Sequence, residues 1–178
     1  MKKLIFKILL QLIICSIMSL SLLAQNHPIY VGQRLSPGYD IGVNTSNGQT
    51  GWLSDSLSYM KMVYPSNQTW GAVFITVGVP TNSPRPYRNF AMYRSISLEM
   101  KGAKVGENVD IGIKDNTDLD NGQETKIAVT LTIKWKEYEF LLNRFVTADL
   151  SHLYVPIEFV FGDLNGSTVY FKNIKYKQ

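Results

Sequence analysis

The chain has few of the residues on which covalent and metal chemistry depends. Its 178 residues include one cysteine and two histidines, and charged residues make up 18%. Cys15 lies in the apolar N-terminal segment, so a chain that has lost this segment cannot form a disulfide or a zinc–thiolate site. The histidines, His27 and His152, stand far apart, and no Gly-x-Ser-x-Gly motif is present. These absences favour a protein that is not an enzyme.

The positive charge of the chain is concentrated at its N-terminus. The formal net charge is +4, from 18 basic and 14 acidic residues, and Lys2, Lys3 and Lys7 precede the first acid. Without these three lysines, 15 basic residues face 14 acidic ones. A nearly neutral chain lacks the basic surface that nucleic-acid binding requires, so we expect no nucleic-acid partner.

The N-terminal segment resembles an export signal. Two lysines precede residues 4–23, which are almost wholly apolar, and Ala24 then offers a small residue for cleavage before Gln25. This pattern predicts a signal peptide over residues 1–24 and a secreted, periplasmic or cell-surface protein with no stable membrane insertion after cleavage. A retained anchor is the alternative, since about 20 apolar residues can span a bilayer. Ile14 before Cys15, deep in the apolar run, argues against a lipidated cysteine.

From residue 25 onward the dominant pattern is alternation of apolar and polar residues. Examples are Ile96, Leu98 and Met100, then Val109, Ile111 and Ile113, and then Val155, Ile157, Phe159 and Phe161. Turn dipeptides such as Asn47-Gly48 and Asn165-Gly166 separate the candidate strands. Three prolines predict a long loop over residues 79–89, and short helical turns are expected over residues 143–150. We therefore predict an all-β fold: one domain over residues 25–178, built as a two-sheet antiparallel β-sandwich (jelly roll) of eight or nine strands.

Two weak signals point to chemistry. A lyase that uses His152 with Tyr154 and Arg94, or a hydrolase with paired carboxylates, is conceivable, although a surface position for His152 is favoured. The acidic residues 115–124 suggest calcium, but with Gly122 at the sixth EF-hand position the first, third and fifth positions are Thr117, Leu119 and Asn121. That register lacks the expected ligands, so a solvated hairpin loop is favoured.

Aromatic residues in polar surroundings suggest a sugar site. Trp52 and Trp70 lie among small and hydrogen-bonding residues, and sugars present C–H faces to aromatic rings and hydroxyls to planar polar groups. Alternation also places four charged side chains on outward faces. We predict a polar floor with aromatic walls, made by Trp52, Trp70, Tyr87, Glu99, Asp110, Lys114 and Glu158. The alternatives are tryptophans in the core and a solvated sheet face with cross-strand ion pairs.

Several segments, in this order, resemble the jelly-roll carbohydrate-binding modules of the galactose-binding-like superfamily. They are residues 59–62 (YMKM), 69–72 (TWGA), 93–102 (YRSISLEMKG), 109–115 (VDIGIKD), 134–138 (KWKEY) and 169–176 (VYFKNIKY). The resemblance implies a non-catalytic sandwich that binds a polysaccharide or oligosaccharide, acts beside a glycan-degrading enzyme and often holds a structural calcium. It nominates Asp40 and Asn173 as calcium ligands, although many such modules have an aspartate where this chain has Asn173.

Three functions remain open from the sequence. The first is a secreted, non-catalytic module that binds a polysaccharide or oligosaccharide. The second is a small polysaccharide lyase or glycoside hydrolase on a jelly-roll fold. The third is a structural or adhesive protein of the cell surface.

Overall fold

The computed structural model describes residues 26–56 and 58–178, so the predicted signal peptide lies outside the described residues. Twelve strands are present in these ranges: β1 (His27–Val31), β2 (Arg34–Leu35), β3 (Tyr39–Thr45), β4 (Leu53–Asp55), β5 (Met60–Tyr64), β6 (Gly71–Val77), β7 (Ser95–Gly102), β8 (Asn108–Asp115), β9 (Lys126–Thr130), β10 (Lys136–Leu141), β11 (Leu153–Phe161) and β12 (Ser167–Lys177). Two 3-10 turns, Leu142–Arg144 and Leu150–His152, lie within or beside the segment where helical turns were predicted. None of the described helical segments is long and apolar enough to cross a membrane.

The strands form two antiparallel sheets. The five-stranded sheet has the order β3-β6-β11-β8-β9, and the seven-stranded sheet contains β10-β7-β12-β1-β2. The first half of β12 also pairs with β5, which pairs with β4. The predicted two-sheet antiparallel β-sandwich is confirmed. The sequence missed β1 to β4, because these strands are short or contain a proline (Pro28) or a glycine (Gly42) that weakens the alternating pattern.

The core lies between the two sheets and is almost entirely apolar. Ile96, Leu98 and Met100 are fully buried, as the alternation predicted. Phe159 of β11 stacks on Phe171 of β12 with ring centroids 4.6 Å apart, which joins the sheets at their central strands.

One polar group inside this core has a partner. The hydroxyl of the fully buried Tyr176 donates a 2.7 Å hydrogen bond to the carbonyl of Pro156, on the facing sheet. Burial raises the pKa of this phenol well above its usual value. The bond removes the cost of an unpaired hydroxyl in an apolar layer.

The segment that connects β6 to β7 follows the predicted loop. Residues 79–89 contain no strand, and Arg88 forms an isolated bridge with Leu153. This bridge holds the loop at the start of β11, the central strand of the five-stranded sheet. Its position matters because the loop forms one wall of the groove described below.

Replacing Phe171 with alanine is expected to destabilise the protein by about 3–5 kcal/mol, because it removes the stack on Phe159 and leaves a cavity between the sheets. The matched control is Val63→Ala in neighbouring β5, whose side chain is 43% exposed and faces away from the core. That change is expected to cost less than about 1 kcal/mol. Urea unfolding measures both values, and equal losses would contradict the assigned core.

Candidate functional site

A groove of about 720 Å³ lies on the outer face of the five-stranded sheet. Its floor comes from side chains of β6, β8, β9 and β11 that point away from the core, and two loops raise its walls. The lining residues are Asn44, Trp70, Ala72, Phe74, Pro80, Thr81, Asn82, Arg85, Lys114, Asp120, Asn121, Gly122, Glu124, Lys126, Tyr154, Val155, Glu158 and Val160. The groove therefore has an aromatic and apolar part and a densely charged part.

The apolar part of the groove contains Trp70 and Phe74. Trp70 directly precedes β6, and its side chain is 45% exposed. Phe74 pairs with Gly42 of β3, and a Cβ at position 42 would collide with the Phe74 ring. Glycine at this position lets the ring lie across the backbone of β3. The sheet thus presents aromatic surface of the kind on which sugar C–H groups pack.

The charged part is organised around the ammonium group of Lys114. Its Nζ lies 3.4 Å from Glu158, 3.5 Å from Glu124, 3.3 Å from Asp120 and 4.0 Å from Asp118. Burial favours a lower pKa for Lys114, but these carboxylates outweigh burial and raise it. Lys114 is therefore a fixed positive charge that holds acidic groups from β11 and from the loop between β8 and β9.

Glu158 is the most deeply buried acid of the groove, with 2% exposure. Burial raises its pKa to about 8, helped by the nearby charge of Glu124 and a hydrogen bond with it, and opposed by Lys114. The pKa of Glu124 is lowered, because hydrogen bonds outweigh the effect of burial and Lys126 donates one of them. At neutral pH Glu158 is consequently a neutral carboxylic acid beside an ionised Glu124. Gly112 on β8 is required here, since a Cβ would collide with the Glu158 carboxyl group.

The two loops that wall the groove are tied together by Arg85 and Tyr154. The Tyr154 hydroxyl accepts from the Thr81 backbone N–H at 2.8 Å and donates to the Thr81 carbonyl at 3.0 Å. The Arg85 guanidinium lies 5.3 Å from the centre of the Tyr154 ring, donates to the Asp118 carbonyl and pairs with Asp120. These contacts hold residues 79–89 and 115–124 in fixed positions above the sheet.

Three buried polar atoms of the groove have no hydrogen-bond partner among the described residues. They are Nε of Arg85, Oε2 of Glu124 and Oε1 of Glu158. Unpaired polar atoms in a buried position are costly unless a proton, a water or a ligand pairs with them. The proton of Glu158 can pair with Glu124, which leaves Nε of Arg85 as the donor without a partner in the described part of the chain.

The structure brings three of the predicted site residues into one groove. Trp70, Lys114 and Glu158 all line it. Asp110 lies on the same outer face, paired in register with Ala128 and Val160, but outside the lining. Two of the four charged residues of the predicted polar floor, Lys114 and Glu158, thus line the groove, and their role in ligand binding stays a prediction.

The other predicted ligand residues lie elsewhere. Trp52 is 6% exposed and packs against Tyr64 and Phe161, so it belongs to the core and is not a wall of the groove. Tyr87 is 50% exposed, but its ring packs on His152 outside the groove. Glu99 is on β7 of the seven-stranded sheet. The alternating pattern predicted that its side chain points outward, but it did not indicate which sheet the strand joins.

The two predicted calcium ligands lie on strands of different sheets, and their role in calcium binding stays a prediction. Asp40 is on β3 of the five-stranded sheet, whereas Asn173 is on β12 of the seven-stranded sheet and donates to Glu99 at 2.7 Å. Asp118, Asp120 and Glu124 of the acidic loop pair with Lys114, Arg85 and Lys126. Over residues 26–56 and 58–178 no group of three or more His, Cys, Asp or Glu side chains is arranged to hold a metal ion.

Histidine 152 is not part of a nucleophilic triad. The Ser151 hydroxyl and the Asp149 carboxylate both lie 2.8 Å from the same ring nitrogen, Nδ1, whereas a triad uses both nitrogens. Asp149 also accepts from the Ser151 N–H, which caps the 3-10 turn. Tyr154 is hydrogen-bonded to Thr81, and Arg94 directly precedes β7 of the other sheet, so the described residues do not bring the three residues of the lyase hypothesis into one site.

Sequence reasoning missed Arg85, Glu124 and Phe74 as groove residues. Arg85 and Glu124 come from loops whose path depends on tertiary contacts. Phe74 lies within a run of apolar residues in β6, where periodicity does not separate the two faces. The available signal was the Gly42 position, which marks a close approach to a neighbouring strand.

Glu158→Gln is expected to change the pH dependence of stability. The folded protein keeps the Glu158 proton up to a pKa of about 8, whereas the unfolded chain loses it near the ordinary 4.5. The contribution of Glu158 to the free energy of unfolding is therefore fully present below pH 4.5 and is lost as the pH rises through 8. Because glutamine cannot ionise, the free energy of unfolding of the variant, relative to that of the wild type, is expected to increase by at least about 1 kcal/mol between pH 5 and pH 9. Urea unfolding measures this change.

The matched control for this prediction is Glu137→Gln. The pKa of exposed Glu137 is lowered to about 2, first by its hydrogen bond with Lys177, so this carboxylate is ionised throughout that range. Its stability difference from the wild type is expected to stay constant between pH 5.5 and pH 9. A constant difference for Glu158→Gln as well would contradict the raised pKa.

Comparison with known proteins identifies structural neighbours. No protein-family model and no curated protein sequence matches the chain. A family 29 carbohydrate-binding module in complex with mannohexaose matches with a TM-score of 0.59 and 16% identity, over 86% of this chain and 92% of the module. The family 30 carbohydrate-binding module of a cellulosomal cellulase of Clostridium thermocellum matches with a TM-score of 0.61 and 17% identity, over 85% of this chain and 96% of the module. The chain has the β-sandwich fold of these carbohydrate-binding modules, as the sequence resemblance predicted.

Proposed function

We propose that this protein is a non-catalytic module that binds a polysaccharide or oligosaccharide in the groove of the five-stranded sheet. The observation that carries the proposal is the combination, in one groove, of exposed Trp70 with the polar and charged side chains of Asn82, Arg85 and Asp120. A sugar needs both features, because its ring has an apolar face and a rim of hydroxyls.

The charges of the groove favour a neutral glycan. With Glu158 protonated, the positive groups Arg85, Lys114 and Lys126 face the negative groups Asp118, Asp120 and Glu124, and all six take part in ion pairs. Such fixed pairs present hydrogen-bonding atoms without net charge. A family 29 module is complexed with mannohexaose in one structure and with cellulohexaose in another, and both structures resemble this chain. We therefore assign neutral hexose chains as the ligand class.

Binding without bond cleavage fits the arrangement of the acids. Glu124 and Glu158 share a hydrogen bond and the same ammonium group. Glycosidases instead separate their two carboxyl groups by about 5 Å or more, so that the scissile bond lies between them. His152, the histidine of the lyase hypothesis, lies outside the groove lining. An adhesive role stays a prediction that the glycan measurements below also test.

Export and partnership belong to the same proposal. The N-terminal pattern of residues 1–24 supports a secreted, periplasmic or cell-surface location, where polysaccharides are encountered. A glycan-degrading enzyme is the expected functional partner, because a module that holds a chain raises the local concentration of substrate for a separate catalyst.

Replacing Trp70 with alanine is expected to weaken binding to mannohexaose or cellohexaose at least tenfold, because it removes the exposed aromatic surface of the groove. Isothermal titration calorimetry measures the change. The matched control is Tyr87→Ala, whose ring is equally exposed but lies outside the groove, and its affinity is expected to stay within twofold of the wild type. A larger loss of hexaose affinity in Tyr87→Ala than in Trp70→Ala would place the ligand outside the groove.

A further inference from the structure

The outer face of the seven-stranded sheet carries three aromatic side chains that do not belong to the core. Tyr59 lies 5.4 Å from Tyr170 and 5.8 Å from Trp135 between ring centroids, and all three rings are partly exposed. Trp135 precedes β10 and Tyr59 precedes β5, on opposite sides of the β7–β12 pair. Their rings therefore meet above the centre of the sheet. We refer to these three residues as the aromatic cluster.

Two lysines cover the aromatic cluster. Lys101 Nζ lies 4.8 Å from the centre of the Tyr170 ring and 5.3 Å from that of Trp135. Lys172 Nζ lies 4.6 Å from the centre of the Trp135 ring. An ammonium group over an aromatic ring keeps its full charge, unlike one that a carboxylate neutralises. The cluster thus holds the charge of Lys101, which has no carboxylate partner among the described residues, and the ammonium group of Lys172, which also pairs with Glu99 at 3.3 Å.

This face has more positive than negative side chains. Lysines 61, 101, 172, 175 and 177 point outward by register, against glutamates 99, 137 and 139. The glutamates are all engaged: Glu99 with Lys172, and Glu137 and Glu139 with Lys177. Among the described residues, Lys61, Lys101 and Lys175 have no carboxylate within 4.0 Å. An anionic ligand is complementary to this excess of positive charge.

The energies allow such a ligand to recruit the lysines. A cation–π contact at an exposed site is weaker than a charge-assisted hydrogen bond. A carboxylate or sulfate can therefore bind Lys101 and compete with Glu99 for Lys172, while a sugar ring rests on the uncovered aromatic surface. The nearly neutral charge of the chain after residue 24 argues against nucleic acid, which needs a wider basic surface.

We propose that the outer face of the seven-stranded sheet is a second saccharide-binding site, specific for acidic polysaccharides. The uronate or sulfate groups bind Lys101 and Lys172, and the sugar rings stack on Tyr59, Trp135 and Tyr170. The site is on the opposite side of the sandwich from the groove, so the two sites bind independently. One molecule can then hold a neutral and an acidic glycan chain at the same time.

The test is affinity electrophoresis of the full chain in gels that contain polygalacturonate, dextran sulfate or dextran. Dextran has the backbone of dextran sulfate without its charge. We expect retardation by at least one acidic polymer, none by dextran, and weaker retardation as salt rises from 50 to 300 mM. Polygalacturonate identifies the uronate as the bound group, and dextran sulfate identifies the sulfate.

The variants separate this site from the groove and from diffuse charge. Lys101→Gln combined with Lys172→Gln is expected to weaken the retardation at least tenfold, and so is Trp135→Ala, with folding checked by circular dichroism. Lys175→Gln removes one positive charge on the same face away from the rings, and it is expected to stay within twofold of the wild type. Lys101→Gln alone removes one charge at the rings, and it is expected to weaken the retardation more than Lys175→Gln does. Trp70→Ala is expected to have no effect on acidic polymers, although it weakens hexaose binding in the groove.

Four results would overturn the proposal. The first is no retardation by either acidic polymer. The second is an equal loss in Lys175→Gln, which would indicate diffuse charge. The third is loss of acidic-polymer binding in Trp70→Ala, which would place that ligand in the groove. The fourth is binding to vesicles of phosphatidylglycerol with no binding to the polymers, which would indicate a membrane surface as the partner.

Discussion

The apolar contact between the two sheets is the constraint on which the rest of this molecule depends. Phe159 of one sheet stacks on Phe171 of the other, and the Tyr176 hydroxyl donates a hydrogen bond to the Pro156 carbonyl between the sheets. A strand has only two faces, so burying one face of β11 and β12 commits the other face to the outside. The described part of the chain contains no cysteine, so its stability comes from packing and hydrogen bonds and not from disulfides. The outer faces are therefore free to carry polar and aromatic groups that binding requires.

On the five-stranded sheet the outward groups form a closely balanced set of charges. Lys114 is surrounded by carboxylates, and burial then keeps Glu158 protonated beside ionised Glu124. Ion pairs of this kind hold the side chains of the groove in defined positions, which lowers the cost of ordering them when a ligand binds. Arg85 and Tyr154 extend the same network into the loops, which raises walls above a sheet that would otherwise be flat.

The two outer faces differ in their charge and in how their aromatic residues are used. In the groove, Trp70 stands exposed beside acids and bases that neutralise one another. On the opposite sheet, two lysines cover the aromatic cluster. Lys101 has no carboxylate partner among the described residues, and Lys172 pairs with Glu99. This difference is the reason why we propose neutral sugars as ligands on one side and acidic sugars on the other. The core between them keeps both faces rigid and separates their charges.

The amino-acid sequence determined the fold class and the direction of most side chains. Alternation with period two identified the core residues Ile96, Leu98 and Met100, and it placed Lys114 and Glu158 outside, because local periodicity is a property of the strand itself. Tertiary structure decided which strands share a sheet, and this separated Glu99 from Glu158. It also decided that Trp52 is buried while Trp70 is exposed, and that Arg85 and Glu124 enter the groove. These outcomes depend on contacts between residues distant in the chain, which no local pattern encodes.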